Sequence, residues 1–201
     1  MQSTISFILD GEIETIDFKS NPAIKPTTTV LNYLRSLPTH KGVKEGCAEG
    51  DCGACTIVLG ELGAHKKIHY KSVDSCLAFL PMLHGKQLIT VENLKSNSGS
   101  PAMADELHPV QQAMVDTDGS QCGYCTPGFI MSLFSLYKNS SKPSRSQIDD
   151  ALTGNLCRCT GYRPIVEAAA KSCVHDSSDQ FVQDETRIAK LLQSIQREST
   201  R

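Results

Sequence analysis

Eight of the nine cysteines fall into two quartets whose spacing suits metal–sulfur chemistry. The first reads Cys47-Ala-Glu-Gly-Asp-Cys52-Gly-Ala-Cys55, with Cys76 following 21 residues later. A C-x4-C-x2-C…C order of this kind lets four thiolates hold a [2Fe–2S] cluster. The second quartet sets Cys122-Gly-Tyr-Cys125 against Cys157-Arg-Cys159. Only Cys173 stands outside the grouping, and its place near Ala169 and Ala170 on an expected helix reads as an inert core thiol. A chain able to hold two one-electron centres is most simply a wire for electrons.

The first spacing is the plant-type ferredoxin one. Ala48, Gly50, Gly53 and Ala54 lie between its ligands, and small residues let a loop wrap closely and aim N–H groups at sulfur. A four-cysteine zinc site prefers C-x2–4-C pairs, so it fits the first quartet poorly and the second better. Disulfides are the other alternative. The six histidines show no pair at ligand spacing near either quartet, which disfavours Rieske-type ligation. His108-Pro109 reads as a helix start.

The formal net charge of −2, from 20 basic and 22 acidic residues, gives no nucleic-acid footprint. No apolar run approaches the ~18 residues that span a bilayer, so no membrane partner is expected. The first ten residues have no basic region and no cleavage site. The expected location is therefore cytoplasmic, where cysteines are reduced metal ligands rather than disulfides. No Ser–His–Asp set, phosphate loop or GxGxxG motif is present, so no catalytic residue and no substrate site are expected in this chain.

The elements that must position the cysteines read as α+β. Over residues 1–91, Ile5, Phe7 and Leu9 alternate with polar residues before an Asp10-Gly11 hairpin turn. Thr27 to Thr29 offer caps for a helix carrying Val30, Leu31, Leu34 and Leu37, stopped by Pro38. Thr56–Leu59, Lys67–Tyr70 and Gln87–Val91 read as strands, and Ser75–Pro81 as a helical turn. Strands around one helix suggest a β-grasp, a ferredoxin-like domain. Residues 92–106 read as a linker, centred on Ser96–Pro101.

Residues 107–172 read as an all-α domain of four helices: Val110–Asp116 behind Pro109, one capped and opened by Thr126-Pro127, Ser146–Leu152, and one capped by Thr160. Each half of the second quartet would then precede a helix N-terminus, where the dipole favours an anionic cluster. The tail, residues 173–201, begins polar and then offers an amphipathic Ile188, Leu191, Leu192 and Ile195.

Four segments carry a family resemblance. Glu45–Thr56, Leu107–Gln111, Gln121–Gly128 and Gly154–Ile165 resemble the iron–sulfur portion of molybdenum hydroxylases, such as xanthine dehydrogenase, aldehyde oxidase and carbon monoxide dehydrogenase. The likeness covers roughly residues 3–170, and the long Cys55–Cys76 insert is most similar to xanthine dehydrogenases. It implies two [2Fe–2S] clusters, one on Cys47, Cys52, Cys55 and Cys76 and one on Cys122, Cys125, Cys157 and Cys159. It also implies a molybdopterin-binding large subunit near the second cluster, touched by Gln121 and Cys159, and an FAD-binding domain or subunit near the first. Tyr124 stands where Phe is more usual. The segment Gln180–Ile195 is similar to one that leads toward an FAD domain. The resemblance thus implies an electron relay from molybdopterin through the second and then the first cluster to FAD and NAD in a xanthine-dehydrogenase-like complex. The readings that compete with it are the iron–sulfur subunit of another molybdenum hydroxylase (aldehyde, nicotinate or carbon monoxide), a free-standing carrier or redox sensor, and a zinc-stabilised interaction module.

Overall fold

The computed structural model describes residues 3–94, 107–173 and 179–198. Strands β1 (Thr4–Leu9) and β2 (Glu12–Asp17) form the hairpin, with Leu9 opposite Glu12. Asp10 and Gly11 both take positive φ, 53° and 82°, as a two-residue turn matched to strand twist requires. Helix α1 (Val30–Ser36) follows, with Thr29 accepting a capping bond from the Asn32 N–H and Leu37 ending it before Pro38. Strands β3 (Thr56–Leu62) and β4 (Ile68–Asp74) are longer than their sequence signals, and β5 (Gln87–Ile89) is shorter. The helical turn expected over Ser75–Pro81 is present just after β4, where the Asp74 carbonyl accepts from the Leu77 and Ala78 N–H groups, and a short 3-10 helix follows at Leu80–Leu83.

The five strands make one mixed sheet in the order β2-β1-β5-β3-β4, parallel only between β1 and β5. Both faces of this sheet are covered. Ile5, Phe7, Ile57, Leu59 and Leu88 point to one face and pack with Val30, Leu31 and Leu34 of α1. Ile8, Val58, Ile68, Tyr70 and Ile89 point to the other and share a core with the helices that follow. Alternation along β1 and β3 thus feeds two cores, since successive side chains leave a strand on opposite faces.

Four helices occupy the stretch after the linker: α2 (Pro109–Asp116), α3 (Thr126–Asn139), α4 (Arg145–Leu152) and α5 (Arg163–Ser172). The long α3 lies on β3 and β4, and α2 packs on α5. Of the linker only residues 92–94 are described, ending a turn at Val91–Leu94; residues 95–106 lie outside the described residues.

The tail forms a short α6 (Gln180–Gln183) and then α7 (Glu185–Glu198), whose Ile188, Leu192 and Ile195 join the second core against β1 and β3. The amphipathic tail therefore docks on this chain's own sheet. No helix among the described residues is long and apolar enough to cross a membrane.

Two expected caps are corrected, and one helix start moves. Helix α3 begins at Thr126 with Cys125 as the cap residue, so a thiol rather than a hydroxyl stands at the helix end. Helix α4 starts at Arg145, one residue before the expected Ser146, and is capped by Ser144, whose hydroxyl and Gln147 form a capping box. Helix α5 starts at Arg163 behind Tyr162, a non-glycine residue held at φ 68°. Thr160 is released from capping because its hydroxyl is used inside the cysteine loop.

Candidate iron–sulfur site

The first loop wraps on itself because Ala48, Gly50 and Gly53 take positive φ. Its backbone points inward at sulfur. The N–H of Asp51 donates to Cys47 Sγ at 3.2 Å, that of Glu49 at 3.5 Å, and that of Cys47 to Cys52 Sγ at 3.3 Å. There is no room for larger residues, since a Cβ on Gly46 would lie 2.6 Å from Cys52 Sγ and one on Gly50 2.3 Å from Leu77. The amide bonds from Glu49 and Asp51, followed by the Cys52 thiol, bring Cys47 down to about 7.

Burial, above all, pushes the Cys55 thiol up to about 12. Cys47 interacts with Cys52 and Cys55 with Cys76, and the Cys55 thiol donates to Asp74 Oδ1 at 3.7 Å.

The second set is built the same way from different elements. Cys122 and Cys125 stand in the turn that opens α3, and Cys157 and Cys159 in the loop before α5. The pairs here are Cys122 with Cys159 and Cys125 with Cys157. Thr160 Oγ1 lies 3.1 Å from Cys157 Sγ, and Tyr162 turns its hydroxyl back to accept the Cys157 N–H at 2.9 Å. Its ring packs edge-on to Phe129, which fixes the left-handed residue in place.

Cys122 is lowered by the Tyr124 N–H, whereas burial pushes Cys125 up to about 12. Burial also works against Cys157, but the bonds from Thr160 outweigh it and hold that thiol low.

These arrangements fit iron–sulfur chemistry. Two irons sharing four thiolates need two sulfurs each, which is how both quartets are paired. Thiols raised by desolvation, such as the buried Cys55 and the half-buried Cys125, stay neutral unless a cation replaces the proton, and soft thiolate donors select such metals. All nine cysteines are free thiols. Among the described residues, no group of three or more His, Cys, Asp or Glu forms a site for a single metal ion. Cys173 is buried at the end of α5, and burial raises its thiol, as an inert core position requires.

The two loops touch. Leu156 N–H donates to the Cys52 carbonyl at 3.0 Å, and the Asn155 side-chain amide donates to the Gly53 carbonyl at 3.0 Å. The Tyr124 hydroxyl donates to the Glu45 carbonyl. Gln121 is exposed beside the exposed Cys122 and Cys159, and its side chain forms no hydrogen bond to a described residue.

The sequence reading missed Asn155. It also missed a buried group far from the cysteines: His108 caps α2 through Nδ1, which accepts from the Val110 N–H at 3.3 Å, and its Nε2–H donates to Asp179 at 3.2 Å. Lys138 Nζ reaches both Asp179 oxygens at 3.0 and 3.1 Å. Only the helix-start character of His108-Pro109 hinted at this group.

Residues 90–170 match the family described as a [2Fe-2S] binding domain. The xanthine dehydrogenase of Emericella nidulans is 44% identical over 167 residues, 83% of this chain and 11% of that protein. Aldehyde oxidase 3 of Mus musculus is 44% identical over 149 residues, 74% of this chain and again 11% of that protein. The chain thus spans about a tenth of the length of these curated relatives. The solved structure of quinoline 2-oxidoreductase from Pseudomonas putida 86 superposes with a TM-score of 0.68 at 28% identity, covering 92% of this chain and 96% of that one. With cysteine loops of this kind and relatives of this kind, the chain belongs to the iron–sulfur part of the molybdenum hydroxylase family.

Proposed function

We propose that this chain relays electrons from a molybdopterin site to FAD, and onward to NAD, within a xanthine-dehydrogenase-like hydroxylase. Cys47, Cys52, Cys55 and Cys76 hold one [2Fe–2S] cluster; Cys122, Cys125, Cys157 and Cys159 hold the other. Residues 1–91 serve as a β-grasp ferredoxin domain and residues 107–172 as a four-helix domain. The molybdopterin sits on a large partner subunit and the FAD on a partner domain or subunit, in the cytoplasm. When bound, each cluster supplies a site that takes up and returns one electron.

The chain's own residues do the rest. The inward amides of Glu49, Asp51 and Tyr124 favour charge on sulfur and so tune each site. The observation that carries the reading is the junction: Leu156, the residue before Cys157, donates its N–H to the carbonyl of Cys52 itself, and Asn155 beside it bonds to Gly53, so the two cysteine loops stand against each other. Gln121 and Cys159 face the molybdopterin in this reading. The Gln121 amide, which has both donor and acceptor groups and no hydrogen-bond partner among the described residues, supports that role.

Iron and acid-labile sulfide analysis of the isolated protein, with paramagnetic resonance of the reduced form, tests this directly. Expected are about four irons per chain and two distinct [2Fe–2S] signals by this ligand count. Isolation together with a molybdenum and a flavin polypeptide is expected as well. Stoichiometric zinc would leave an interaction module, and clusters without those partners would leave a free carrier.

A further inference from the structure

Asn155 is a buried amide, 4% exposed, whose hydrogen bonds all cross between segments that carry cysteines. Its Nδ2 donates to the Gly53 carbonyl at 3.0 Å and to Thr56 Oγ1 at 3.2 Å, both in the first loop's exit. Its Oδ1 accepts from Ser132 Oγ at 2.6 Å, on the helix that begins at Cys125. Asn155 itself lies two residues before Cys157. One side chain therefore ties together three segments, each adjoining cysteines of a quartet.

The backbone around it has no slack. A Cβ on Gly53 would sit 2.4 Å from the Gly154 carbonyl, and one on Gly128 2.1 Å from the Gly53 carbonyl. The Leu156 N–H bond to Cys52 follows directly from where Asn155 is held.

We infer that Asn155 is a positioning residue that sets the register of the two cysteine loops on each other, and through it the coupling between the two redox centres. The inference rests on the two-cluster reading above. The residue type is specific. Only an amide offers two donors and an acceptor in this flat arrangement; aspartate would turn an oxygen against the Gly53 carbonyl, and leucine would leave Ser132 without its partner and reduce Gly53 and Thr56 to the bonds they make with each other. Asn155 makes no hydrogen bond to a cysteine sulfur among the described residues, so its removal acts on the relation between the centres and not on either ligand set.

The test uses the enzyme isolated with its full iron–sulfur chain and whatever partners accompany it. With both clusters reduced, two nearby paramagnetic centres split each other's resonance signals, and the splitting depends on their separation and orientation. Asn155→Ala is expected to keep about four irons per chain and to leave the signal of each centre reduced alone unchanged. The splitting in the fully reduced form is expected to be lost or changed. Four irons with unaltered splitting overturn the inference.

Ser132→Ala keeps the amide but frees it to turn, and it is expected to change the splitting in the same sense with the clusters intact. If Asn155→Ala fails to hold iron, Ser132→Ala decides: altered splitting supports the inference and unaltered splitting overturns it. Failure of the two-cluster reading shows earlier and separately, as an unsubstituted protein with too little iron for two centres.

Discussion

The carbonyl oxygen of Gly53 lies 2.1 Å from the point where Gly128 would carry a Cβ. Gly128 is a buried residue in the first turn of α3, where propensity alone would favour alanine by roughly 0.5–1 kcal/mol. Contact reverses the sign. Backbone on both sides cannot give way as a flexible side chain could, and overpacking of this kind costs about 1–3 kcal/mol. Gly128→Ala is expected to lower stability in denaturant titration; a gain would show that the loops can part at no cost.

Lys138 and Asp179 form an ion pair with side chains 8% and 2% exposed, roofed by the rings of Tyr70 and Phe181. Removing one partner leaves a buried charge, so Lys138→Met is expected to destabilise by about 3–5 kcal/mol. Asp179→Asn in the same chain should recover much of that loss. Hydrogen exchange should report the damage first in α6 and α7, because Asp179 also caps α6 through the Val182 N–H.

Acid acts on the same carboxylate. Burial raises Asp179, but the His108 bond and the Lys138 charge outweigh it and hold it below the usual range. A depressed carboxylate contributes stability that is present above about pH 4, its unfolded value, and is lost as pH falls through the folded value. Acid unfolding of Asp179→Asn is expected to lack this component; identical acid limbs would show that the pair carries none of it.

His40 shows the opposite linkage. The hydrogen bond with Asp10 raises it, and burial opposes that effect without cancelling it. A raised histidine contributes stability that is complete below about pH 6.5 and disappears as pH rises through the folded value. In an NMR titration the His40 ring is expected to have its midpoint above the ordinary value, and Asp10→Asn to bring it down. A midpoint unmoved by Asp10→Asn would remove Asp10 as the cause.

Cys125→Ala is expected to leave the iron of the first quartet in place while removing that of the second. Iron content should fall from about four to about two per chain. Since cluster binding energy is also folding energy, α2 to α5 should loosen as well. Loss of all iron would show that neither centre assembles alone.

Much of this was legible because it is local. The Asp10-Gly11 turn, the Thr29 cap and the small residues around Cys47 to Cys55 act over a few positions, so their meaning survives without a fold. Thr126 and Thr160 misled for a physical reason: a hydroxyl beside a cysteine can bond to sulfur or to a loop neighbour as readily as to a helix end. Thr160 takes that option with Cys157. Asn155 reaching Gly53 and His108 reaching Asp179 are contacts between distant parts of the chain, and no periodicity encodes them. The same holds for α7, whose apolar stripe was plain but whose partner face was not.

The two-faced sheet has a consequence for how errors spread. Phe7 faces α1 while its neighbour Ile8 faces the later helices. A slip of β1 by a single position would exchange the two sets, pulling Phe7 out of one interior and pushing Ile8 into the wrong one. The penalty would fall on both interiors at once, so register is checked twice by the same strand. Misthreaded forms are thereby penalised at the sheet itself, whatever the state of the cysteine loops.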